Sequence, residues 1–179
     1  VRKEVLKLKK QGVDGLIIDL RNNGGGSLQD VVDMAGLFIP SGPVVQVKSR
    51  FGQPYLLEDR DPNLVYDGPL VILVNEFSAS ASEILAAAMQ DYKRAVVIGS
   101  RSFGKGLVQR PLDLSYGTQV KVTISRYYTP SGRCIQALDY SKKDENGKAI
   151  KKNQTEFNAF KTKTGRIVYD GGGVLPDME

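Results

Sequence analysis

Residues 69–89 read PLVILVNEFSASASEILAAAM, and this stretch decides the fold. Its first part, Leu70–Val74, is an aliphatic run of the length and composition typical of a strand in a parallel sheet. Its last part, Ile84–Met89, is an apolar segment of good helix formers. The serine-rich residues 78–83 therefore predict a turn that leads from a buried strand into a helix.

Two more aliphatic runs, Gly15–Leu20 and Ala95–Ile98, predict strands of the same sheet, buried on both faces. Residues 2–11 predict an amphipathic helix, and Ser27 is placed to cap a second helix that runs to Phe38. This alternation of strands and helices predicts an α/β core with connections that cross over the sheet.

The remaining segments predict peripheral structure. Val44–Val47 and Tyr55–Leu57, joined through Gly52, are typical of a hairpin on the outside of the core. Val120–Ser125 alternates like a half-exposed strand. The polar, lysine-rich residues 139–164 predict a long surface excursion, and the three glycines at 171–173 predict a turn before a terminal strand.

Composition excludes several classes of function. The chain has 179 residues, a net charge of +5, one cysteine and no histidine. Its lysines fall mainly in Lys3–Lys10 and Lys142–Lys163 without interleaved aromatic residues, so we expect solvated faces and no nucleic-acid partner. Cys134 alone forms no internal disulfide, and Cys/His metal sites are excluded. Because Val1 falls within a charged amphipathic segment, we expect a piece of a longer polypeptide.

Ser80 has two interpretations. At the entry of a helix the first N–H groups are unpaired and the helix dipole is positive, which stabilises an attacking alkoxide and an oxyanion. The same residues, with Glu83 three positions on, also form a helix capping box. Since the chain contains no histidine, a serine nucleophile here needs another base, and lysine is the obvious substitute.

Lys105 lies in a segment that nearly matches a phosphate-binding loop. Residues 99–106 read GSRSFGKG, but Gly106 replaces the metal-binding hydroxyl and no helix pattern follows. A lysine between two glycines is either an ordinary exposed residue or one that turns inward. To act as a base it must lie in a dry pocket, because burial disfavours the charged form of lysine.

Gly24–Gly26 follow the first strand. They do not complete a dinucleotide-binding fingerprint, which would need glycine where the chain has Gln29. They predict either a simple turn or a site where backbone N–H groups approach a ligand oxygen.

Together these segments resemble the carboxyl-terminal processing proteases, the tail-specific serine peptidases of family S41 found in bacterial envelopes and plastid lumens. The matching segments are Ile18–Gly26, Gly36–Pro40, Asn75–Glu83, Ala88–Tyr92, Phe103–Gly106 with Val108 and Gln109, and Tyr127–Gly132. Several long motifs in one order are more specific than any of them alone.

The resemblance implies a role for each matching residue. It makes Ser80 the nucleophile and Lys105 the base, with Gln109 orienting the lysine. It assigns the oxyanion donors to the N–H groups of Gly26 and Ala81. It places Glu83, Asp91 and Ser102 in support of the site, where serine at 102 replaces the threonine of many relatives.

The resemblance also implies a crotonase-like or Clp-protease-like fold, with a mixed β-sheet, flanking helices and a peripheral hairpin. It implies an endopeptidase that cleaves unfolded or C-terminal segments of envelope proteins through an acyl-enzyme, without metal or cofactor. Residues 1–179 would be the catalytic core, without the PDZ domain expected upstream. An adaptor or a homo-oligomer fits the full-length protein. Two alternatives stay open: a dormant core or peptide-binding scaffold, and a non-proteolytic enzyme acting on thioesters.

Overall fold

A computed structural model of the chain describes residues 1–49 and 52–179. Within these residues the helices are α1 (Arg2–Lys10), α2 (Leu28–Ala35) and α3 (Ala81–Asp91). The strands are β1 (Leu16–Asp19), β2 (Gly42–Ser49), β3 (Tyr55–Asp59), β4 (Leu70–Val74), β5 (Val96–Gly99), β6 (Leu107–Asp113), β7 (Gln119–Tyr128), β8 (Leu138–Lys143), β9 (Ala149–Lys151), β10 (Ala159–Lys161) and β11 (Ile167–Tyr169). The predicted helices are confirmed, although α2 ends at Ala35 and not at Phe38.

The strands β1, β4 and β5 form a parallel sheet in that order, as predicted. Leu16 pairs with Leu70, and Val71 pairs with Val96. Parallel strands place their carboxyl ends at one edge of the sheet, where ligand sites of α/β folds tend to lie. The glycine-rich residues after β1 and the serine-rich residues after β4 therefore meet at this edge.

The prediction that these strands are buried on both faces is wrong. Ile17 is 68% exposed and Val96 is 43% exposed, whereas Leu16 is only 7% exposed. Alternate residues of a strand point to opposite faces, and the described residues cover the face that bears Leu16 but leave the other open. The aliphatic runs predicted the strands correctly, but not what covers them.

A separate antiparallel sheet contains β3, β2, β7 and β6 in that order. The predicted hairpin is confirmed as the β2–β3 pair, in which Val45 lies opposite Leu57. Gly52 lies in its connection, of which residues 50 and 51 are outside the described part. Its inner strand belongs to the core, since Val45 is 0% exposed, whereas Tyr55 and Leu56 of β3 are each 52% exposed, so β3 is the peripheral strand of the pair.

The helix α3 runs through the middle of the core. All its residues, from Ala81 to Asp91, are buried. Its alanines at 86–88 let neighbouring elements approach closely, and side chains of β2, β4 and α2 belong to the same apolar cluster. Because α3 begins directly after Ser80, its fixed position also fixes the serine turn.

Two small ribbons make up most of the segment predicted as a surface excursion. β8 pairs with β9 and β10 pairs with β11, each antiparallel. Most of their residues are exposed, in agreement with the polar sequence. The terminal strand predicted after the glycines is reduced to one parallel bridge, between Ile98 and Met178, at the β5 edge of the parallel sheet.

The α/β class predicted from the sequence is confirmed, with the parallel and the antiparallel strands in separate sheets. None of the helices in the described residues combines the length and the apolar character needed to span a bilayer.

Candidate active site

Ser80 occupies a strained turn between β4 and α3. Its φ of 58° and ψ of −116° lie in a region that non-glycine residues rarely adopt. Such a conformation costs on the order of 1–3 kcal/mol and is found where the surrounding structure enforces it, often at active sites. Ser78 helps to enforce it, because its hydroxyl donates to Leu20 O over 2.7 Å and accepts the N–H of Asn75 over 2.9 Å.

The glycine loop, residues 24–26, packs against this turn. Asn23 joins the two segments: its backbone O accepts the N–H of Ala79 over 2.9 Å, and its side chain accepts the N–H of Gly25 over 2.9 Å. Gly25 has a φ of 100°, and an added Cβ would lie 2.6 Å from Ala79 O. Gly25 is therefore the member of the loop that must be glycine.

The backbone N–H groups of Gly26 and Ala81 have no hydrogen-bond partner within the described residues. Ala81 is the first residue of α3, whose N–H groups lack partners inside the helix. Both residues line one cavity together with Ser80. Two free donors beside a serine hydroxyl form an arrangement that can bind a developing negative charge.

Glu83 lies behind Ser80 and is fully buried. Its Oε2 accepts hydrogen bonds from the N–H groups of Ser80 and Lys105, each over 2.9 Å. Its Oε1 accepts from the Ser102 hydroxyl over 2.5 Å and from the N–H of Gly104 over 2.7 Å. One carboxylate thus connects the serine turn to the lysine loop, residues 101–106. The contact to the Ser80 N–H is the half of the predicted capping box that Glu83 supplies.

Burial raises the pKa of Glu83, and the hydrogen bonds donated to its oxygens oppose this rise. Ser102 Oγ accepts the N–H of Val174 over 2.7 Å, so its own hydrogen is directed to Glu83. Because all the partners of Glu83 are donors, the ionised carboxylate is the form that satisfies them.

Lys105 lines the same cavity and is half-buried. Its side chain forms no hydrogen bond to Ser80 or to any other residue that the structure describes. Gln109 also lines the cavity, and its Nε2 donates to the Thr123 hydroxyl over 3.4 Å. The orienting contact from Gln109 to the lysine is not formed in this structure, and its role stays a prediction.

The cavity has a volume of about 240 Å³. Its lining residues come from the glycine loop, the start of α2 and α3, the lysine loop and the β6–β7 hairpin: Gly26, Leu28, Ser80, Ala81, Ile84, Lys105, Leu107, Val108, Gln109, Lys121 and Tyr127. Five residues that the sequence assigned to catalysis or to the oxyanion site thus meet in one place. Ser102 and Glu83 do not line the cavity. Glu83 accepts hydrogen bonds from the lining residues Ser80 and Lys105, and Ser102 donates to Glu83.

Tyr127 is a member of this site that the sequence interpretation missed. Its ring is buried, and its hydroxyl donates to the backbone O of Lys105. Burial, and then the Glu83 carboxylate, raise the pKa of Tyr127 well above its usual range, while the nearby Ser80 hydroxyl opposes the shift. In an alternating strand a tyrosine is typical of core packing, so only its place in the Tyr127–Gly132 motif could have marked it.

Asp91 lies apart from the cavity. It is at the carboxyl end of α3, where its Oδ1 binds Arg133 Nη2 over 3.1 Å and its Oδ2 accepts the N–H of Ser131 over 2.9 Å. Both side chains of this ion pair are at most 3% exposed. Asp91 can therefore support the site only indirectly, by holding the end of α3 in place.

Among the described residues, no group of three or more histidine, cysteine, aspartate or glutamate side chains is placed to hold a metal ion.

A serine at the exit of a parallel strand, beside a cavity with two free backbone N–H groups, is an arrangement typical of serine-type hydrolases. Residues 1–144 match peptidase family S41, and the chain belongs to this family. The family resemblance predicted from the motifs is confirmed.

Two relatives with similar sequence identity to the chain support the same assignment. The chain is 44% identical over 144 residues to the tail-specific protease of Haemophilus influenzae, a match that covers 76% of this chain and 21% of the relative. It is 45% identical over 132 residues to the carboxyl-terminal-processing protease of Synechocystis, covering 74% and 31% of the two chains. The chain therefore spans about a fifth to a third of the length of these curated relatives.

Solved structures agree on the fold. The photosystem II D1 C-terminal processing protease superposes with a TM-score of 0.69 and 38% identity, covering 85% of this chain and 37% of that one. Mature CPAF matches with a TM-score of 0.64 at 13% identity, covering 99% and 41% of the two chains, which shows likeness of fold alone. The predicted Clp-protease-like α/β core is confirmed by these matches.

Proposed function

We propose that this chain is the catalytic core of a serine endopeptidase that processes unfolded or C-terminal segments of proteins. The observation that carries the proposal is the meeting of the Ser80 hydroxyl, the Lys105 side chain and the free N–H groups of Gly26 and Ala81 at one cavity. Nucleophile, base and oxyanion donors are the parts that acyl transfer requires. The family membership and the names of the relatives support the same reaction.

In the proposed reaction the uncharged amine of Lys105 takes the proton of Ser80 Oγ. The oxygen attacks the peptide carbonyl, a C–O bond forms, and the N–H groups of Gly26 and Ala81 bind the carbonyl oxygen as its charge develops. The protonated lysine gives its proton to the leaving amine as the C–N bond breaks. Water then attacks the Ser80 ester, Lys105 takes its proton, and the released serine oxygen recovers it.

Lys105 Nζ is not bonded to Ser80 in this structure, so the mechanism includes a movement of the side chain. Hydrogen bonds of catalytic groups are often long or absent in a free enzyme and tighten when substrate is bound. A peptide that fills the cavity expels water from around the lysine, which favours its uncharged form. Gln109, in reach of the same cavity, would orient the amine in that state.

The shape of the site supports an extended substrate. β6 is the edge strand of the antiparallel sheet, and its residues Leu107–Gln109 line the cavity beside Lys105. An edge strand offers unpaired backbone groups with which an extended chain pairs. A folded protein has few such segments, whereas an unfolded chain or a loose C-terminus has many. An envelope or periplasmic location follows from the same resemblance and belongs to this proposal.

The test is cleavage of an unfolded protein with an apolar C-terminus by the chain and by Ser80→Ala and Lys105→Ala. Ser100→Ala and Lys148→Ala are matched controls, since the Ser100 hydroxyl donates to Glu76 outside the cavity and Lys148 is exposed. We expect cleavage by the wild type and both controls and a loss of at least about 10³-fold in each site variant. Mass spectrometry of the quenched reaction should show an acyl group on Ser80.

Equal cleavage by the wild type and both site variants would show that the serine–lysine pair is not the catalytic unit. If this chain cleaves nothing but a longer protein that contains the PDZ domain does, the core is dormant in this form. A thioester-cleaving activity would favour the non-proteolytic alternative, in which the Ser80–Lys105 pair has no role.

A further inference from the structure

The segment Gly104–Gly106 belongs to no helix or strand, yet every backbone polar group in it is hydrogen-bonded. The three N–H groups donate to side chains: Gly104 and Lys105 to Glu83, over 2.7 and 2.9 Å, and Gly106 to Gln136 Oε1 over 2.7 Å. Loops usually leave many of these groups to water. Complete pairing in so short a segment indicates that its position is enforced.

The three carbonyl groups are paired as well. Gly104 O accepts the N–H of Ala137 over 2.9 Å, and Gly106 O accepts the N–H of Tyr127 over 3.1 Å. Lys105 O, in the middle, accepts the hydroxyl of Tyr127. The Lys105 backbone is therefore held on one side by the Glu83 carboxylate and on the other by the Tyr127 phenol.

This segment cannot be made rigid by side chains of its own. Gly104 has a φ of 86°, and a Cβ on it would lie 2.4 Å from the Ala137 Cβ. Glycines on both sides of a lysine leave the backbone with high conformational entropy. The restraint has to come from elsewhere in the chain, and it comes from Glu83, Tyr127 and Gln136.

Tyr127 and Gln136 are well suited to this task. The phenol is buried, and burial raises its pKa well above the usual range, which favours the protonated form that donates to Lys105 O. Gln136 is 6% exposed, and its amide is fixed at both ends, since Nε2 donates to Leu138 O over 3.2 Å while Oε1 binds Gly106. The Gln136 side chain has no other hydrogen bond among the described residues, whereas the Tyr127 hydroxyl also lies near the hydroxyl of Ser80.

We propose that Tyr127 and Gln136 are positioning residues that hold the Lys105 backbone so that its amine reaches Ser80. This inference rests on the proposed function, in which Lys105 is the base. A base misplaced by about 1 Å can cost on the order of 100-fold in rate. In this role the two residues act through the backbone around Lys105, and the exchange measurement below tests that role separately from the contact of Tyr127 with Ser80.

The first test is Tyr127→Phe, with Tyr128→Phe as the matched control, because Tyr128 is the next residue of the same strand and is absent from the cavity lining. We expect kcat of Tyr127→Phe to fall between about 10- and 100-fold, while KM stays within about twofold. The pH profile of kcat should change its midpoint, since the environment of the base changes. Tyr128→Phe should match the wild type in all three measurements.

Amide hydrogen exchange gives a reading that does not need activity. In the wild type the amides of Gly104, Lys105 and Gly106 should be protected, and Tyr127→Phe should accelerate their exchange while α3 remains protected. Gln136→Met, which keeps the side-chain length but removes the acceptor, should accelerate Gly106 most. If the wild type cleaves nothing, the proposed function fails, and exchange still decides whether the two side chains fix this segment.

Three results would overturn the inference. The first is unchanged exchange of residues 104–106 in both Tyr127→Phe and Gln136→Met. The second is faster exchange with unchanged kcat and pH profile, since the position of the segment would then not matter for catalysis. The third is a fall in kcat that accompanies global unfolding, seen as faster exchange throughout α3, since the effect would then not be local.

Discussion

Gly25 lies directly against Ser80, so that a Cβ added to Gly25 would be 2.8 Å from the Ser80 Cβ. Carbon atoms that are not bonded to each other do not approach so closely, and their optimal separation is about 3.5–4.0 Å. The close approach brings the free N–H of the next residue, Gly26, beside that of Ala81. The glycine loop is thus placed by the serine turn itself.

Gly25→Ala should displace this loop from the serine turn. Its positive φ adds strain to the steric conflict, so we expect a loss of about 2–4 kcal/mol in the free energy of unfolding. Cleavage should fall at least about 100-fold, because one oxyanion donor moves away. Gly24→Ala is the control, since a Cβ there meets nothing within 4 Å. Thermal unfolding and cleavage rates that are alike in the two variants would contradict the role of this contact.

Glu83→Gln should separate the serine turn from the lysine loop. The glutamine amide keeps one acceptor oxygen, but its NH₂ group would face two of the N–H or O–H groups that now donate to the Glu83 carboxylate. Leaving buried donors unpaired costs about 1–3 kcal/mol each, so stability should fall by about 2–5 kcal/mol. Activity should fall even below the unfolding temperature. Glu76→Gln, an exposed site bonded only to Ser100, is the comparison, and an equal effect of both changes would reject the prediction.

Asp91→Asn should lower stability and spare catalysis. The change leaves the Arg133 guanidinium buried without its counter-charge, which costs about 3–5 kcal/mol. Because the pair lies outside the cavity, kcat measured well below the melting temperature should stay within about twofold of the wild type. Denaturant unfolding and single-temperature kinetics would separate the two effects, with exposed Asp33→Asn as the neutral reference. A large fall in kcat of the fully folded variant would give Asp91 a direct role after all.

The Asp19 carboxylate should titrate at unusually low pH. Hydrogen bonds from the Arg21 side chain, and then from its backbone N–H, lower the pKa of Asp19 from 3.8 to about 2. Because the pKa is lower in the folded state, the ionised Asp19 stabilises the fold at any pH above its unfolded-state pKa of 3.8. This contribution is lost as the pH falls from 3.8 towards 2. Carbon-detected NMR titration should show this midpoint, and Arg21→Gln should return it towards 3.8. An unchanged midpoint in that variant would rule out Arg21 as the cause.

The core elements were predictable because their signals are local. The aliphatic run Leu70–Val74 and the apolar helix α3 are each encoded by adjacent residues. The open face of the parallel sheet was not predictable, since the exposure of Ile17 depends on which distant segment covers it. The same limit applies to the β2–β3 hairpin, whose pattern predicted the pairing of the two strands but not the burial of β2 in the core.

The site was predictable where family motifs mark it and not where long-range contacts build it. Ser80, Lys105, Gly26, Ala81 and Gln109 were assigned from their motifs and meet at one cavity. Tyr127 and Gln136 were not assigned. A strand tyrosine and a buried glutamine are typical of ordinary packing, and only the fold brings them to the lysine loop.

The link between Ser102 and Val174 has a consequence for how the site is assembled. These residues are separated by 72 positions in the chain, and their mutual hydrogen bonds orient the hydroxyl that Glu83 binds. Pairing residues so far apart requires closure of a long loop of chain. The lysine loop is therefore complete only when the segment around Val174 has returned to it, and the Glu83 contact to Ser102 depends on that return.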